Sequence, residues 1–264
     1  MSAADPVSAP GAPALRLLGA PALIGPEGEI AFTAERPFQL LAYLAVRGSW
    51  VRRDELADLL YPGRELEAAR SNLRKVLLLA RRVGGANTIE QQGDMLRWQP
   101  DSDLRRFEQA CDAGRHGEAV ALYGGPLLHG VDLGGSPAGA AWLVAERSRL
   151  EGRWHDAALR RLRELDTDPA AAEALAQALL RHDPLDDEAM QALLSAQARQ
   201  GRAAEGLQRL ARYTRELAGS LELAPSAALQ QLGHSLRSVT GPESAVACAP
   251  PEYSPLIGRR HQMA

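Results

Sequence analysis

The chain has 264 residues, 45% of them apolar and 24% charged, with a formal net charge of −3. That length and balance fit two ordinary globular domains and exclude the fibrous and disordered classes. No apolar run approaches the roughly 18 residues that span a bilayer, and the N-terminus lacks the basic-then-apolar order of a secretory signal, so a cytoplasmic protein with no membrane partner is expected.

Residues 1–13 (MSAADPVSAPGAP) are Pro-, Ala- and Ser-rich and read as a disordered tail. Short apolar runs at 15–18 and 22–32, punctuated by glycines, predict a small sheet. Residues 36–46 (RPFQLLAYLAV) place Leu40, Leu41, Leu44 and Ala45 at helical spacing, with Pro37 in the first turn and Gly48 at the end. Trp50 and Val51 suit one short strand pairing, and residues 54–60 form a second helix closed by Tyr61-Pro62-Gly63.

A third helix is expected over residues 67–83. On a helical wheel Ala69, Leu73, Val76, Ala80 and Val83 share one face, while Ser71, Arg74, Lys75, Leu78, Arg81 and Arg82 share the other, with Arg70 at the edge. Residues 1–100 hold 12 basic against 11 acidic side chains and the remainder 18 against 22, yet residues 68–83 carry five basic groups and no acid. Strands at 88–90 and 95–98 then flank Gln92-Gly93-Asp94 as a hairpin. Sheet, three helices and hairpin are the order of a winged helix-turn-helix over residues 14–100.

Residues 101–240 are helical throughout, with helices expected at about 138–165, 169–182, 187–199, 203–218 and 225–239. Two turn phrases recur, GRHGEA at 114–119 and GRAAEG at 201–206, each with an acid and a small residue four and five positions after the first glycine. A third, GRWHDA at 152–157, falls inside a long helix and is ambiguous. The pattern is a degenerate tetratricopeptide-like array. The fold class is thus mainly α with a small β component.

The succession LRLLG, RPFQLLAYLAV, VRRDELADLLYPG, AARSNLRKVLLLARRV and SDLRRFEQA resembles the bacterial transcriptional activation domain family, which includes the Streptomyces antibiotic regulatory proteins. The likeness runs over about 14–240 and is most specific at 51–83; ALLRHDPLDDEAM, ARQGRAAEGLQRLARY and LELAPSAALQQL match by pattern. It implies a response-regulator-type winged helix joined to a tetratricopeptide-like domain, and an activator. Residues 130–139 depart from the more regular connection of that family. Residues 241–264 read as a linker ending in PLIGRR, which resembles the opening of an ATPase module in larger members, so a fragment of a longer regulator is expected.

An α-helix fits the major groove, and Arg or Lys donates to guanine O6 and N7. Arg70, Ser71, Arg74 and Lys75 are therefore the candidate base readers. Leu78 suits a thymine methyl, and Arg81 and Arg82 suit phosphates. Arg52, Arg53 and Arg97 are further candidates for the DNA backbone, each equally readable as a plain surface arginine. The expected partners are double-stranded promoter DNA and a second copy of the chain. The resemblance adds RNA polymerase at the loop 61–66, which otherwise reads as a connector. The rival reading is a helical-repeat scaffold whose winged helix contacts protein.

An enzyme is not expected. Lys75 is the only lysine and follows no glycine-rich phosphate loop, and the six histidines show no ligand spacing. Cys111 and Cys248 sit too far apart to suggest a disulfide framework or a metal knuckle. No cofactor and no metal are expected. Asp186, Asp187 and Glu188 read as a helix cap and first-turn acids, and Trp142, Trp154 and Tyr213 as packing residues.

Overall fold

The computed structural model describes residues 14–25, 28–83, 86–131 and 135–239. The expected tail, the linker with its PLIGRR phrase, and Cys248 lie outside them, as do residues 132–134 of the irregular connection. Two compact units divide the chain, Met1–Glu164 and Leu165–Ala264.

The first unit opens with an antiparallel sheet of β1 (Ala14–Arg16), β2 (Ala22–Gly25) and β3 (Gly28–Ala31), in that order. α1 (Arg36–Arg47) begins with Pro37 in its first turn, where the missing N–H costs no helical bond. It ends at Gly48, whose φ of 57° lets its N–H reach the Leu44 carbonyl. β4 (Val51–Arg52), α2 (Arg53–Leu60), α3 (Leu66–Ala80), β5 (Glu90–Gln92) and β6 (Met95–Arg97) follow. The second sheet has the order β4-β6-β5, with Val51 opposite Leu96. α3 packs on α1 and α2, and Leu40, Leu41, Leu44, Leu56, Leu60 and Leu73 are all buried. This is the winged helix-turn-helix that the order of elements implies.

Three helices complete this unit: α4 (Asp103–Asp112), α5 (His116–Leu122) and α6 (Pro137–Glu164). The Ser102 hydroxyl caps α4 by accepting the Arg105 N–H at 3.2 Å. Tyr123 bridges the Phe107 and Trp154 rings, at 5.6 and 5.3 Å, and Tyr43 of α1 meets Trp142 of α6 at 4.6 Å. Arg147 of α6 donates to the Leu127 and Leu128 carbonyls, both at 2.8 Å. GRWHDA is no turn, because Gly152 lies within α6.

The second unit holds α7 (Pro169–His182), α8 (Asp187–Arg199), α9 (Ala203–Leu221) and α10 (Ala227–Val239). Asp168 and Asp186 cap α7 and α8, each accepting a backbone N–H at 3.0 Å, as the acids before the second of these helices suggest. Gly201 turns the chain between α8 and α9 with φ 75°, and Gly114 does the same between α4 and α5 with φ 68°. The small residue of the turn phrase has a visible purpose: a Cβ on Gly206 would stand 3.0 Å from Leu194 Cδ2, so glycine lets α9 lie close on α8. Helix pairs joined by such turns make a tetratricopeptide-like array. Among the described residues, no helix is long and apolar enough to cross a membrane.

Candidate nucleic-acid interface

The helix-turn-helix is fixed from behind by α1. Arg36 donates to the Leu60 carbonyl at 2.7 Å, and its guanidinium lies 4.3 Å from the centre of the Tyr61 ring, so the end of α2 and the start of the turn are both held. Gly63, with φ 72°, completes the turn that redirects the chain into α3.

α3 is amphipathic. Ala69, Leu73, Val76, Leu77 and Ala80 are buried, which puts Arg70, Arg74, Lys75 and Leu78 on the outer face; Ser71 is half-buried. Leu78 is 58% exposed, an unusual position for a large apolar side chain in the middle of a basic face. The helix stops at Ala80 rather than Val83. Arg81 and Arg82 sit on the following turn, where the Arg82 and Val83 N–H groups bond to carbonyls three residues back. Both arginines are exposed.

The wing is the β5–β6 hairpin, turned at Gly93-Asp94 with Gly93 at φ 56°. A groove of about 460 Å³ runs between it and α3, lined by Arg53, Arg70, Leu73, Arg74, Gln91, Gly93 and Asp94. Arg53 closes one side by donating to the Gln91 side chain at 2.9 Å. Arg52, just before α2, is exposed. Arg97 is half-buried within the wing: it donates to Glu90 at 2.7 Å, its guanidinium stacks 4.6 Å from the Trp50 ring centre, and its Nε is buried without an acceptor. Its charge is largely committed to shaping the hairpin.

Arg70 is joined to Asp54 of α2 by two hydrogen bonds, Nε to Oδ1 at 2.6 Å and Nη2 to Oδ2 at 2.8 Å. The bond from Arg70 holds the Asp54 carboxyl below the usual carboxylate range, and the same bond raises the guanidinium further. Sequence reasoning misses Gln91 and Asp94 in the groove wall and Asp54 as the partner of Arg70, since each comes from another element, 16 or more residues from Arg70. Arg70, Arg74 and Lys75 are legible from helical period and charge alone.

The fold is therefore a winged helix followed by helix pairs, with a basic recognition-type helix exposed beside a wing. The bacterial transcriptional activator domain family matches residues 99–237, and the chain belongs to that family, whose members are transcriptional regulators. No curated protein matches the chain. Among solved structures, Mycobacterium tuberculosis EmbR in complex with a low affinity phosphopeptide is similar in fold, with a TM-score of 0.63 at 19% identity. The match covers 86% of this chain and 65% of that one, so the chain spans about two-thirds of the length of that solved structure.

Proposed function

We propose that this chain is a sequence-specific DNA-binding regulator that activates transcription, reading promoter DNA with residues 14–100 and contacting protein with residues 101–240. The observation that carries the reading is the outer face of α3, which presents Arg70, Arg74, Lys75 and an exposed Leu78, with Arg70 and Arg74 lining the groove beside the wing. A helix of this width enters the major groove and presents its outer face to base edges. Arg70, Ser71, Arg74 and Lys75 read bases, and Leu78 packs on a thymine methyl. Each bidentate base contact contributes about 1–3 kcal/mol of discrimination.

Arg52 and Arg53 at the start of α2, and Arg81 and Arg82 past the end of α3, bracket this face and hold phosphates, which fixes register without reading sequence. Arg97 orders the wing and adds a weaker backbone contact. The family's activating role supports RNA polymerase as the protein partner, met at the loop 61–66, and a pair of chains would read half-sites about one helical turn apart.

The test is binding to the duplex that the wild type enriches from a random pool and to an unrelated duplex, at several salt concentrations, for the wild type and for Arg74→Ala/Lys75→Ala. Wild-type affinity falls steeply with salt on both duplexes, and the double variant loses its preference for the enriched one, by about 1–3 kcal/mol for each base contact removed. An equal preference in both proteins would turn the reading away from base recognition by α3.

A further inference from the structure

We propose that Asp54 is a positioning residue that presents Arg70 end-on to a guanine, so that one base of the target site is read by the pair rather than by the arginine alone. The inference rests on the DNA-reading function proposed above and goes further, because it assigns a base and a role to a carboxylate.

A guanidinium has five N–H groups in a planar fork. Asp54 takes the side-on pair, the Nε hydrogen and one Nη2 hydrogen, at 2.6 and 2.8 Å. That leaves the other Nη2 hydrogen and the Nη1 hydrogens at the far end, two of them parallel and spaced to meet two acceptors. Among the described residues, no hydrogen bond occupies that end. Guanine O6 and N7 form such a pair of adjacent acceptors, whereas adenine offers one acceptor and one donor in the same place, which an all-donor fork rejects.

The setting favours this arrangement. Arg70 lies in the second turn of α3, in the N-terminal half of the helix, and lines the groove between the helix and the wing together with Arg74 and Asp94. The Arg70 side chain is 44% exposed although its side-on edge is occupied. Long arginine side chains lose much rotamer freedom when they bind, and a guanidinium already held in place has less to lose. Asp54 and Asp94 also place negative charge at this groove. That opposes phosphate there and favours a neutral base edge, while Arg52, whose charge also acts on Asp54, remains exposed for phosphate.

The experiment uses the full chain and the duplex it enriches from a random pool, with each guanine of that duplex replaced in turn. For the wild type, one replacement weakens binding about tenfold or more. In Arg70→Lys, whose ammonium still pairs with Asp54 but has no fork, the penalty at that position disappears. In Asp54→Asn the same penalty falls severalfold, while binding to an unrelated duplex tightens because a negative charge is gone. Melting temperature and circular dichroism establish that both variants are folded, and the exposure of the pair makes large losses unexpected. The proposal is overturned if Asp54→Asn keeps the full guanine penalty, if it strengthens all duplexes equally with the preference intact, or if Arg70→Lys changes no position. A wild type that enriches no motif would instead remove the DNA-reading function itself, before any variant is made.

Discussion

The carboxylate of Asp103 accepts the amide hydrogen of Leu17, 86 residues earlier in the chain, at 2.7 Å. Its second oxygen takes the Leu18 amide at 3.0 Å. Around this clasp the Leu15 amide reaches the Asp101 carbonyl, and the Leu128 and His129 amides reach Leu17 and Gly19. The end of β1 is thereby bound to the start of α4 and to residues 127–129, and the winged helix and α4–α6 fold as one unit.

Asp103→Ala is predicted to destabilise that unit by about 2–4 kcal/mol, because it leaves the part-buried amides of Leu17, Leu18 and Leu104 without this acceptor. Burial pushes the Asp103 carboxyl above its ordinary range, with the three backbone amides opposing. Asp103→Asn, which keeps one acceptor oxygen, is expected to lose less. Urea unfolding monitored by tryptophan fluorescence measures both, and an unchanged midpoint in the alanine variant would contradict the clasp.

How much of this is legible in the sequence differs by element. The third helix and its basic face follow from a period of 3.6 and a run of charge, so Arg70, Arg74 and Lys75 can be picked out without a structure. So can the turn glycines Gly114 and Gly201, because the phrase around them repeats. The Asp103–Leu17 clasp and the Asp54–Arg70 pair cannot, since they join residues far apart in the chain and leave no local pattern. The wheel also runs past the end of α3: Val83 fits its apolar face, but the helix gives way at Arg81, and a wheel does not register where backbone bonding changes.

Gly206 carries a second prediction. A Cβ there would lie 3.0 Å from Leu194 Cδ2 and 3.4 Å from the Gln197 side-chain oxygen, so a branched side chain requires its neighbours to shift. Gly206→Val is expected to cost about 1–3 kcal/mol by forcing α8 and α9 apart. Hydrogen exchange of the two helices tests this, and unaltered protection would show that the close approach is not needed.

Acid should weaken the second unit through Glu173. Burial opposes its charged form, but hydrogen bonds from Gln197 at 3.1 Å, from Arg202, and from Gln200 at 2.9 Å outweigh it and hold the carboxyl below its ordinary range. A depressed folded-state value adds stability above the unfolded-chain value, and that stability is lost as pH falls through the folded one. Glu173→Gln should therefore melt earlier than wild type at neutral pH, with the gap closing below the ordinary glutamate range. A gap that persists unchanged at low pH would contradict the assignment.

Arg81 and Arg82 lie beyond the helix and should act on DNA without reading it. Arg81→Ala/Arg82→Ala is expected to weaken binding to all duplexes alike and to lower the log–log salt slope by up to about 2, with base preferences kept. A changed preference would move these arginines into the base-reading set.

Whether the outer face of α3 reads sequence is decided by selecting bound duplexes from a random pool with the wild-type chain and, in parallel, with Arg74→Ala/Lys75→Ala. A repeated motif is expected for the wild type, and the folded double variant is expected not to enrich it. The same motif from both proteins, or none from a folded wild type at moderate salt, would contradict base reading by this face.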